Sequence, residues 1–140
     1  MSAPPEIALV VDDEPQILRA VRRALEEDFD EVLEASTAAE GVDLAAARRP
    51  AIVILDLGLP DRSGRWVCQE IRKWSSAPII VLSARHAERD KVELLGGGAD
   101  DYMTKPFSRE ELRARVQAVS YTHLRAHETV LDLVCRLLLE

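Results

Sequence analysis

Ile7-Ala-Leu-Val-Val-Asp-Asp-Glu-Pro15 decides the fold: five apolar residues in a row, then three acids, then a proline. An unbroken apolar run this short suits a strand covered on both faces, and a proline suits the first turn of a helix, where its missing N–H costs nothing. Strand into helix is one βα unit. The pattern recurs, with further strands expected at Glu31–Ala35, Ala51–Leu55, Pro78–Leu82 and Asp100–Thr104. The first, third and fourth runs are nearly all apolar and should be central in a parallel sheet. Between them Pro15 opens one helix, Thr37-Ala-Ala-Glu40 reads as a capping box for the next, and Gly96-Gly-Gly98 ends the helix before the fifth strand.

Strands alternating with amphipathic helices predict an α/β protein with a flavodoxin-like, doubly wound (βα)5 architecture and strand order 2-1-3-4-5. Its ligand site is then expected at the carboxyl ends of the strands. Asp12 and Asp13 follow the first run, Asp56 the third, Ser83 the fourth and Lys105 the fifth. Each has an ordinary reading as a cap or a loop residue. Together they converge on one crevice, where three carboxylates need a hard, oxygen-loving cation such as Mg²⁺ and where a lysine completes a phosphoryl site.

Val10-Val-Asp-Asp-Glu-Pro15, Ile54-Leu-Asp-Leu-Gly-Leu-Pro60, Val81-Leu-Ser-Ala84 and Gly98-Ala-Asp-Asp-Tyr-Met-Thr-Lys-Pro-Phe107 resemble, in order and spacing, the receiver domains of two-component response regulators. The loop ending at Asp61 and the stretches Arg72–Ser75 and Ala99–Tyr102 look most like the OmpR-type winged-helix regulators, in particular those of potassium transport. The resemblance covers residues 6 to about 118. It implies Asp56 as phosphoacceptor, Mg²⁺ held by Asp13, Asp56 and the Gly58 carbonyl, and Asp12 as a ligand through water. Lys105 would meet one phosphoryl oxygen, Ser83 another, and Tyr102 would be an aromatic switch turning inward. Lys105-Pro106 would be cis, the form that only X-Pro bonds adopt cheaply.

The same resemblance implies a sensor histidine kinase as partner and a homodimer formed on phosphorylation. Its interface pairs would be Lys91 with Glu111 and Asp101 with Arg115; Asp100 would meet an arginine at the position of Thr122. The domain would be no enzyme beyond slow self-catalysed phosphorylation and dephosphorylation. DNA would be reached only through a winged-helix domain absent from this chain, because a net charge of −7 with no basic stripe offers nucleic acid no grip.

With 140 residues, 47% hydrophobic and 31% charged, the chain is expected to form one core. Cys68 and Cys135 form no C-x-x-C pair, and MSAPPEIALV reads as neither leader nor membrane segment, so a cytoplasmic location is expected. Cys68 reads as a small core hydrophobe, Trp66 and Trp74 as packing or half-exposed residues of the third helix, and His86 as an isolated loop residue. Residues 119–140 break the pattern: they resemble translated sequencing adaptor and are read as a non-native tail behind a receiver domain at 1–118. His123 and His127 could be read instead as a helical metal pair, but further ligands are missing.

Rival functions are a stand-alone receiver that docks on a protein, an aspartyl-phosphate phosphatase and a flavin carrier. A phosphatase of the haloacid-dehalogenase type needs a second acid where Gly58 stands, and a flavin phosphate would be repelled by Asp12-Asp13.

Overall fold

The computed structural model describes residues 6–84 and 98–120. Its elements are β1 (Ile7–Val11), α1 (Pro15–Leu25), β2 (Glu31–Ala35), α2 (Ala38–Arg48), β3 (Ile52–Asp56), α3 (Gly64–Arg72), β4 (Ile79–Ser83) and β5 (Asp101–Thr104), and a closing helix runs over 109–120. All four strand pairings are parallel and the order is β2-β1-β3-β4-β5, the doubly wound sheet expected of the sequence. Its three central strands, β1, β3 and β4, are buried at every position.

The period of two along each strand sorts the core into two layers. Leu9, Val11, Val53, Leu55, Ile79 and Val81 face Ala38 and Ala45 of α2 and Val67, Cys68 and Ile71 of α3. Ala8, Val10, Ile52, Ile54, Ile80 and Leu82 face Val21, Ala24 and Leu25 of α1 and Leu112 and Val116 of the closing helix. Each layer covers one face, and the polar groups buried among the described residues, Asp12, Asp56 and Ser83, lie at the strand ends.

Several boundaries differ from the sequence reading, and the fifth strand starts one residue later, at Asp101. The third and fourth strands start and end one residue later, so Asp56 and Ser83 are the last residues of β3 and β4 rather than the first beyond them. Parallel pairing extends to Asp56 opposite Leu82 and Ser83 opposite Thr104. Trp74 lies beyond α3, not on it: the amides of Trp74 and Ser75 both return to the Ile71 carbonyl, closing a turn that leaves Trp74 exposed while Trp66 packs on the core. Pro15 opens α1, and Thr37 caps α2 by accepting from the Glu40 amide. His86, Lys91, Thr122, His123, His127 and Cys135, with the helix expected before Gly96, lie outside the described residues. Among those described, no helix is long and apolar enough to cross a membrane.

Candidate functional site

The carboxyl ends of β1, β3, β4 and β5 frame a cleft of about 450 Å³ lined by Asp13, Glu14, Asp56, Leu57, Gly58, Ser83, Ala84 and Lys105. β1 delivers Asp12 and Asp13, and the Asp12 amide stays in the ladder by donating to the Ala35 carbonyl at 3.0 Å. β3 delivers Asp56, buried at its last rung. Gly64 starts α3 directly behind it: a Cβ there would stand 2.7 Å from the Asp56 carbonyl, so only glycine lets the helix approach so closely.

Lys105 sits at the centre. Its Nζ lies 2.9 Å from Asp12 Oδ2, 3.0 Å from Asp56 Oδ1 and 3.3 Å from Glu14 Oε1. Burial alone would lower the ammonium's pKa; the Asp12 and Asp56 carboxylates outweigh it and raise the pKa above its usual value. Asp12 is fully buried, and desolvation pushes its carboxyl above the ordinary range, against the opposing pull of the Glu14 amide and Lys105. Its Oδ1 accepts from the Glu14 amide at 2.8 Å, whereas Oδ2 faces the Lys105 ammonium at 2.9 Å in poor hydrogen-bond alignment.

Asp12, Asp13 and Asp56 each present an oxygen within 4.8 Å of the others. One lysine cannot neutralise three acids, and an under-satisfied buried oxygen suits a hard divalent cation. Ser83 is buried beside the cleft and the Tyr102 ring is turned into the α2–α3 core layer. The Lys105–Pro106 bond is cis, as the sequence reading expected.

Among the described residues, those expected at the dimer face, Asp100, Asp101, Glu111 and Arg115, have partners within the chain. Arg115 donates from one guanidinium nitrogen to both Asp101 carboxylate oxygens, at 3.0 and 3.1 Å, and lies 3.5 Å from Glu111. Asp100, just before β5 at the amino end of the strands, lies 2.7 Å from Arg72. Two residues near the site had no role in the sequence reading. Glu14 reaches Lys105 as the third acid of its run, and Asp61 accepts from the Ala38 and Ala39 amides at 2.8 and 3.0 Å. An acid just before a helix-opening proline was a signal for Glu14; nothing in the spacing links Asp61 to a helix 22 residues upstream.

Two acids buried at the carboxyl ends of the strands, a third exposed beside them and a lysine held against the buried pair are the frame of a signalling receiver. The chain belongs to the response regulator receiver domain family, which it matches over residues 8–117, and is a receiver domain of a two-component response regulator. It is 51% identical over 122 residues to the transcriptional regulatory protein KdpE of Mycobacterium tuberculosis, covering 87% of this chain and 54% of that protein. It is 49% identical over 115 residues to the KDP operon transcriptional regulatory protein KdpE of Escherichia coli K12, covering 82% and 51%. The chain thus spans about half the length of these curated relatives. The solved receiver domain of a Francisella response regulator, 30% identical, matches with a TM-score of 0.76 over 84% of this chain and 98% of its own.

Proposed function

We propose that the domain is a phosphoacceptor switch: Asp56 takes a phosphoryl group from the phosphohistidine of a sensor histidine kinase, in a reaction that requires Mg²⁺. The observation that carries this is the Lys105 ammonium within 3.0 Å of both Asp12 and Asp56, with Asp13 beside them. Asp13, Asp56 and the Gly58 carbonyl would hold the ion, with Asp12 reaching it through water. When bound, the ion offsets the charge of the carboxylates and of the incoming phosphoryl oxygens.

The Asp56 carboxylate oxygen attacks phosphorus, an O–P bond forms as the P–N bond of the donor breaks, and the imidazole departs. Lys105 then exchanges a carboxylate contact for a phosphoryl oxygen. Ser83 donates its hydroxyl to another, and the inward position of Tyr102 is the one that this movement favours. Incubation with acetyl phosphate and Mg²⁺ tests the reading: an acid-stable, base-labile phosphoryl group should appear on Asp56, and none should form in EDTA.

The output we propose is dimerisation through the segment before β5, β5 itself and the closing helix, leading to DNA binding in a winged-helix protein of the OmpR type in the cytoplasm. The cross-interface pairs would be Lys91–Glu111 and Asp101–Arg115, the latter by exchanging the intrachain contact for its symmetry mate. Sedimentation with beryllofluoride checks it: Glu111→Lys should remain monomeric where the parent dimerises. Residues 119–140 are proposed as foreign to the domain, although the closing helix runs through 120 and Val119 packs on the core. Removing them should leave the labelling rate unchanged, and a marked loss would show the tail to be native.

A further inference from the structure

We propose that Asp61 is a positioning residue for the cation site, fastening the loop that carries Gly58 to the N-terminus of α2; this rests on the Mg²⁺ reading above. The loop of residues 57–63 leaves β3 and is closed at its base, where the Leu57 amide donates to the Leu82 carbonyl and the Gly64 amide returns to the Leu57 carbonyl, both at 3.0 Å. Leu57 and Leu59 pack on the core, but Gly58 has open space where a side chain would be. Packing therefore does little to fix the direction of the Gly58 carbonyl. Three residues on, the Asp61 carboxylate spans the gap to α2 and takes both the Ala38 and Ala39 amides, one per oxygen.

A bidentate grip at a helix N-terminus is charge-assisted and directional, and the two amides hold this exposed carboxyl below the usual carboxylate range. α2 has its own cap in Thr37, so Asp61 is a second fastening whose far end lies in the cation loop. Groups that orient a metal ligand without touching the metal commonly set its affinity.

The competing role is helix capping alone, and Thr37 separates the two because its hydroxyl caps the same helix by accepting from the Glu40 amide, a bond within α2's own first turn. The Mg²⁺ dissociation constant is measured by calorimetry, and thermal unfolding is followed in EDTA, for the parent, Asp61→Ala, Asp61→Asn and Thr37→Ala. Both alanine variants should lose about 3–6 °C of Tm. Only Asp61→Ala should weaken Mg²⁺, by roughly 10-fold. Asp61→Asn, which keeps one acceptor oxygen, should fall between it and the parent, and keeps the test open if the alanine variant does not fold. Equal Mg²⁺ affinity in Asp61→Ala and parent, or equal weakening in Thr37→Ala, overturns the proposal alone. A parent that takes up no Mg²⁺ overturns the phosphoacceptor reading and this one with it.

Discussion

The sheet has a cation paired with acid at each end, and the two are built to opposite rules. At the amino end of β4, Arg72 gives its guanidinium to the Gly98 carbonyl at 2.9 Å, the Ala77 carbonyl at 2.6 Å, the Ser75 carbonyl at 3.3 Å and Asp100 Oδ2 at 2.7 Å. That Asp100 oxygen also accepts the Ile79 amide at 2.8 Å. One charge meets one charge, and the remaining donors meet carbonyls. At the carboxyl end, Lys105 is shared among Asp12, Asp56 and Glu14 with Asp13 close by, and Asp12 keeps an under-satisfied buried oxygen. A satisfied polar network fixes a structure, whereas one left short of positive charge stores a demand for a ligand.

Breaking the carboxyl end should therefore abolish function and hardly touch the fold. Asp56→Asn should lose all Mg²⁺-dependent labelling by acetyl phosphate while its circular dichroism stays that of the parent; undiminished labelling would sink the site assignment. Lys105→Ala should keep Mg²⁺ affinity and still label, more slowly, yet fail to dimerise when labelled. Dimerisation like the parent's would remove Lys105 from the switch. Breaking the amino end should do the reverse. Arg72→Ala orphans three carbonyls and Asp100, and should destabilise the domain by about 2–3 kcal/mol in urea unfolding with Mg²⁺ affinity unchanged. Gly98 shares this dependence: it stands at φ 115°, and a Cβ there would come within 2.9 Å of Arg72 Cγ.

The contrast also explains what could be read from the sequence. The carboxyl end was legible because Asp12, Asp13, Asp56 and Ser83 all sit at the end of an apolar run: a strand of this class must be buried, so the residue that ends it has one place to go. Asp12, Asp13, Asp56, Ser83 and Lys105 meet as expected, and the one-residue shift of β3 and β4 changed their labels without moving the site. The amino end was not legible. Arg72, Gly98 and Asp100 meet through contacts 26 and 28 residues long that no periodicity records, and three of the acceptors are backbone carbonyls, which carry no residue signature. Asp61 was missed for the same reason, since its partners are the amides of two alanines. Trp74 was misassigned because the periodicity of α3 runs on past Arg72, where the chain instead turns back to reach β4.

The smallest effect is the sharpest test of the idea that the carboxyl end is held short of positive charge. Asp13 is exposed at the cleft and approaches Asp12 and Asp56, while the lysine contacts go to Asp12, Asp56 and Glu14. Without a cation its charge adds repulsion and gains little in return, so Asp13→Asn should stabilise the metal-free domain. Solvent screens an exposed carboxylate, which limits the gain to roughly 0.5–1 kcal/mol. The same substitution removes a proposed Mg²⁺ ligand, so stabilisation by saturating Mg²⁺ should shrink as the metal-free stability rises. Urea unfolding of parent and variant, each in EDTA and in Mg²⁺, reads both signs in one experiment. An Asp13→Asn chain less stable than the parent in EDTA would mean that the acids at this end are balanced after all, and that the difference between the two ends of the sheet is one of shape rather than of charge.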